Sequence, residues 1–114
     1  MKVGDIVKYK SHLYQIVSID WDSLANRFKF KPIACSSPEH LSIFKEDIYV
    51  NNSEKIELFS GSTPKYQIGQ RVKYNSHYYL VRFTLIKNGT YDYQIKAEEE
   101  WRGYEWVYEN QLGL

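Results

Sequence analysis

The sequence predicts an all-β chain built from two copies of one small sheet unit. Three observations predict it. Residues 3–16 recur at 68–81: at an offset of 65, Gly4, Val7, Lys8, Tyr9, Ser11, His12 and Tyr14 return as Gly69, Val72, Lys73, Tyr74, Ser76, His77 and Tyr79. Such self-similarity is settled before any other feature, because it dictates the architecture. The composition holds 11 Tyr, 5 Phe and 3 Trp in 114 residues, with few of the long helix formers; Tyr suits half-buried strands because its ring is apolar and its tip polar. Finally, short runs alternate polar with apolar residues and are separated by turn signals, the pattern of strands with one face buried.

In each copy a Gly-x-x-Val-x-Tyr segment leads into a first strand. A Lys-Ser-His or Asn-Ser-His turn follows, then a longer strand at 13–20 or 78–87. Asn88-Gly89 is a hairpin signal, because both residues accept positive φ. It joins the second strand of copy two to 91–97, where Tyr91, Tyr93, Ile95 and Ala97 alternate with Asp92, Gln94 and Lys96. Copy one has a third strand at 27–33, after a turn at Asp22–Asn26. Residues 34–42 and 98–103 read as loops, and 104–107 as a closing strand. A weaker echo sets 43–48 against 107–112 at an offset of 64, with one turn of 3₁₀ helix at Asn110–Leu112. Residues 55–59 alternate as a further strand with no match in copy two. They are therefore expected to be shared between the two sheets, or to bridge them. The expected organisation is a first unit at 1–59, a linker at 60–66 stiffened by Pro64, and a second unit at 67–114. Units this small have little core of their own, so they are expected to pack on each other.

The openings Val3-Gly4-Asp5-Ile6-Val7-Lys8-Tyr9 and Ile68-Gly69-Gln70-Arg71-Val72-Lys73-Tyr74, with the closing Glu105-Trp106-Val107-Tyr108-Glu109-Asn110-Gln111-Leu112, resemble the SH3-like barrel superfamily, including its Tudor-like and KOW-like members. The closing segment is similar to the ending of many small bacterial and phage barrels. The resemblance implies two tandem five-stranded barrels that bind peptides, modified side chains or nucleic acids. Fold alone does not choose among these.

Residues 1–59 carry eight Lys/Arg and eight Asp/Glu, and residues 60–114 seven and six. Neither half has the excess of positive charge that phosphate-driven binding uses. The single cysteine, Cys35, excludes an intrachain disulfide and a multi-cysteine metal cluster,. It fits a reducing, cytoplasmic setting. The first residues form no apolar signal core, and no apolar run is long enough to span a bilayer. No membrane partner, cofactor or metal is expected.

Catalysis finds little support. His12 and His77 occupy the same place in both copies, which points to a turn role. His40 and Cys35 lie five residues apart without a visible third group to orient them. Glu98-Glu99-Glu100 point in alternating directions along a strand end and read as a solvated turn. The binding residues are sought in two aromatic sets. Tyr9, Tyr14, Tyr74 and Tyr79 recur in both copies and read as structural. Tyr104, Trp106 and Tyr108 alternate on one strand face, opposite Glu105 and Val107, with Trp101 ahead of them. At the offset of 64 their counterparts are His40, Ser42 and Phe44. This strip is either buried against copy one or a second chain, or it is a peptide groove or aromatic cage. In the latter case Glu98 to Glu100 and Glu105 favour a cationic peptide or protein partner through cation–π attraction. The alternative site is nucleic-acid binding through Lys8, Lys10, Lys29 and Lys31 of copy one.

Overall fold

A computed structural model describes residues 1–21, 26–41, 44, 46–99, 101 and 103–113, with backbone alone at Trp21 and Asn26. The expected turn at 22–26 and Glu100 of the acidic triplet thus fall largely outside the described residues. The chain is all-β and divides into two units, Met1–Gly61 and Ser62–Leu114. The first holds β1 (Ile6–Tyr9), β2 (His12–Trp21), β3 (Asn26–Ala34), β4 (Ile48–Asn51) and β5 (Glu57–Leu58), antiparallel in the order β4-β3-β2-β1-β5. The second holds β6 (Arg71–Tyr74), β7 (His77–Lys87), β8 (Thr90–Ala97) and β9 (Tyr104–Tyr108), antiparallel in the order β6-β7-β8-β9. Among the described residues no pairing joins β4 to β5, so the first sheet is not a closed barrel.

The repeated segments fold alike, bond by bond. Gly4 N–H donates to Ile16 O at 2.8 Å, and Gly69 N–H to Val81 O at 2.7 Å. Asp5 N–H donates to Lys2 O, and Gln70 N–H to Gln67 O; Ile16 N–H donates to Asp5 O, and Val81 N–H to Gln70 O. Gly4 and Gly69 have φ of +97° and +91°, a backbone that side chains disfavour and glycine accepts. The following hairpins turn through Lys10-Ser11 (φ 50° and 69°) and Asn75-Ser76 (φ 49° and 67°). Two consecutive positive φ values give the two-residue turn whose twist matches the strands. Each long strand then breaks register at one extra residue, Val17 in β2 and Arg82 in β7, again 65 apart. Such a bulge bends the strand and increases its twist.

The structure corrects four readings. His12 and His77 are not turn residues; each is the first residue of its long strand, because the turn is complete at Ser11 and Ser76. Residues 55–59 are not shared. Glu57 and Leu58 pair with Lys8 and Val7 of their own sheet, and Phe59 N–H donates to Ile6 O. Copy two has its own equivalent, because Gly113 exchanges both backbone hydrogen bonds with Lys73, at 2.6 and 2.9 Å. The closing strand of copy one is β4, which pairs with β3 as β9 pairs with β8. Register then sets Tyr49, opposite Lys29, in the place of Trp106, opposite Gln94. The offset of 64 fails here because copy one spends thirteen residues (35–47) between its third and fourth strands and copy two spends six (98–103).

Each sheet buries its own core. In the first, Val7, Tyr9, Tyr14, Ile16, Phe30 and Val50 are buried; in the second, Val72, Tyr79, Val81, Tyr93, Ile95 and Val107. Tyr66, placed by sequence in the linker, is buried and donates its hydroxyl to Leu112 O at 3.0 Å. Burial, with Cys35 and Tyr9 nearby, pushes the Tyr14 hydroxyl up to about 12 from an ordinary 10.0. The neutral phenol is therefore favoured in the folded state. Its contribution is complete below pH 10 and is lost as pH rises toward 12, by roughly 2–3 kcal/mol at about 1.4 kcal/mol per tenfold change in proton concentration. Urea unfolding followed across this interval is expected to show that decline, and Tyr14→Phe is expected to make it shallower by this share, the remainder belonging to Tyr91 and Tyr93, whose hydroxyls burial also pushes up.

Candidate functional site

β9 lies at the end of its sheet, with β8 on one side and no strand on the other among the described residues. Its alternation is set by Val107, which is buried opposite Tyr93. Tyr104, Trp106 and Tyr108 consequently stand on the opposite face, 51%, 44% and 65% exposed, and Trp101 in the preceding loop is 77% exposed. The strip is therefore not part of the core of its own sheet. Glu105 is exposed but belongs to the Val107 side, opposite Ile95.

The backbone of β9 has a second edge to offer. Ala97 N–H donates to Gly103 O, which fixes the hydrogen-bonded pairs of the β8–β9 ladder,. By alternation the N–H and C=O groups of Tyr104 and Trp106 point away from β8. Tyr108 N–H, in the same phase, is taken by Gln111 Oε1 at 2.8 Å, the polar end of the short 3₁₀ turn Glu109–Gln111. The strip thus combines exposed aromatic rings with outward backbone donors and acceptors on one edge.

Its charge differs from the sequence expectation. Glu98 is held by Arg71 through two contacts, 2.6 Å from Nε and 3.2 Å from Nη2. The Arg82 guanidinium, displaced by the β7 bulge, sits 4.8 Å from the Tyr104 ring centroid, and Lys96 Nζ lies 6.0 Å from it. The chain's own cations therefore already occupy the Tyr104 end. Acidity is found at the other end, where Asp92, Glu109 and Tyr108 line a groove of about 380 Å³ with Gly89, Thr90 and Tyr91. Arg82 and Lys96 were not legible as site residues; only the cross-strand register Lys96 to Tyr104 reveals the latter.

In the first unit Lys29 and Lys31 share a face of β3 with Arg27, but Lys31 lies opposite Gln15, whose β1 partner is Ile6, while Lys8 lies opposite Leu13. Lys29 is engaged with Asp47 at 4.0 Å and lies 5.9 Å from the Tyr49 centroid. Lys10 sits in the hairpin turn. Lys8 and Lys10 meet instead at a hollow of about 310 Å³ that Lys55, Ser11 and Glu57 complete.

Cys35, His40 and His12 converge. β2 starts at His12 and β3 ends just before Cys35, so the β2–β3 hairpin brings its two ends together. A 3₁₀ turn at Pro38–His40, capped by Ser37 Oγ on Glu39 N–H, returns His40 to them. The His12 and His40 rings meet edge to face at 5.1 Å. Burial pushes the Cys35 thiol up, and it donates to Ser37 O at 3.0 Å, so it is not poised as a thiolate nucleophile. His12 Nδ1 accepts from Ser36 N–H at 3.1 Å.

Among the described residues no helix is long and apolar enough to cross a membrane. Comparison with protein-family models and with curated proteins finds no match for this chain.

Proposed function

We propose that this chain is a non-catalytic binding module of two SH3-like units, and that it docks an extended peptide segment of a partner protein along β9. The observation that carries the reading is the row of exposed Tyr104, Trp106 and Tyr108 on a strand whose outer edge is unpaired among the described residues. An added strand gains backbone hydrogen bonds from the edge, and its alternate side chains meet the aromatic rings. Arg82 and Lys96 favour apolar or acidic partner residues beside Tyr104, and Asp92 favours a basic one in the groove beside Tyr108. The SH3-like assignment is supported by the strand order, in which a short last segment returns to the first strand in both copies.

Panning a random peptide display library against the full chain tests the reading. Selected peptides are expected to bind Trp106→Ala at least tenfold more weakly, as truncating a central Trp commonly costs about 2 kcal/mol or more. The half-exposed ring contributes little to folding, so the unfolding transition is expected to stay in place. Equal affinity for both proteins would overturn the reading.

One observation favours a second reading, nucleic-acid binding at the first unit: Lys8, Lys10 and Lys55 surround one hollow. Oligonucleotide binding there must weaken steeply as salt rises.

A further inference from the structure

We propose that His12, Cys35 and His40 form a binding site for one borderline-soft transition-metal ion, with zinc as the reference case. One donor atom from each residue lies within 4.8 Å of the other two. Zinc bonds of about 2.0–2.3 Å in a tetrahedron place such donors about 3.4–3.6 Å apart. The remaining contraction, roughly 1 Å, falls to His40, which is exposed on its short turn, whereas His12 and Cys35 are buried.

One sulfur and two imidazole nitrogens select zinc, copper or a related ion over magnesium or calcium, which take oxygen ligands. Ser36 supplies the outer partner that metal-bound imidazoles use. Its Oγ is 3.2 Å from His12 Nδ1. Binding through His12 Nε2 moves the ring proton to Nδ1, with Ser36 Oγ accepting it in place of the Ser36 N–H contact. The cysteine binds as thiolate and its proton leaves to solvent. Three protein donors leave a fourth position for water or an external ligand.

Packing accounts for the burial of His12 and Cys35, but not for a third donor converging on them from an exposed residue. The second copy serves as an internal control. It repeats His12 as His77, yet its shorter connection between third and fourth strands carries neither cysteine nor histidine. The sheet unit therefore forms without the trio, and the longer connection of copy one is what assembles it.

Titration of the reduced, metal-free full chain with Co(II), and with zinc in competition with a chromophoric chelator, tests the proposal. The expected result is one ion per chain and a thiolate-to-cobalt charge-transfer band. Zinc should also raise the unfolding temperature. Cys35→Ser abolishes the band, and His40→Ala weakens zinc binding at least tenfold, whereas His77→Ala leaves it unchanged. Because His40 is exposed, its variant keeps the fold and remains informative if Cys35→Ser does not. Absence of the band in the wild type, or unchanged zinc affinity in His40→Ala, overturns the proposal.

Discussion

Phe30→Ala is expected to destabilise the chain by about 3–5 kcal/mol, the usual cost of emptying a buried aromatic site. Phe30 is fully buried at the centre of β3. Its ring meets Tyr9 edge-on at 5.9 Å, Tyr14 at 5.4 Å and Phe28 stacked at 6.1 Å. Those neighbours sit on three adjacent strands tied into one ladder, so they have little freedom to close a cavity. Against a total stability of typically about 5–15 kcal/mol, the loss is large enough to read directly as a lower urea midpoint. Phe28→Ala, at a half-buried position two residues away, is expected to cost clearly less. A loss below about 1 kcal/mol for Phe30→Ala would mean that this ring is not the centre of the first core.

Tyr93→Ala is the corresponding change in the second unit, and about 4 kcal/mol or more is expected. The volume lost is similar to that at Phe30, and here polar groups are stranded as well. Tyr93 is fully buried; its hydroxyl accepts from Tyr66 N–H at 3.3 Å and donates to Glu109 Oε2. Glu109 Oε2 also accepts from Lys65 N–H at 3.0 Å. One phenol thus fastens both the segment entering the unit and the 3₁₀ turn after β9. Burial, together with the hydrogen bond to Glu109, holds its hydroxyl well above the ordinary tyrosine value. Tyr93→Phe isolates the polar part, with an expected loss of about 1–3 kcal/mol for partners left unsatisfied. Urea unfolding of both variants checks the split. If Tyr93→Phe were neutral, the hydroxyl would not be the fastening point.

The parts of this fold that were legible in the sequence are those governed by local rules. The repeat, the Asn88-Gly89 hairpin and the alternation of β8 are written in period-two patterns and in residues that accept positive φ. β4 was missed because Ile48–Asn51 is only four residues long and its pairing is decided across a thirteen-residue connection. The misaligned echo followed from the same connection, and it hid Tyr49 as the counterpart of Trp106. At the strip, the common face of Tyr104, Trp106 and Tyr108 was readable, whereas the cations beside Tyr104 were not. Arg82 reaches that ring through a bulge, which shifts facing by one residue and leaves no mark in a single strand's pattern. The Cys35–His40 pair was visible by spacing. Its third member was hidden because His12 joins it through the far end of a hairpin.

Amide hydrogen exchange of the full chain, with and without a saturating peptide selected from the display library, bears most directly on β9 as the docking edge. The outward N–H groups of Tyr104 and Trp106 are expected to slow at least tenfold on binding. Unchanged exchange at both amides, with protection appearing on the first sheet instead, would contradict it.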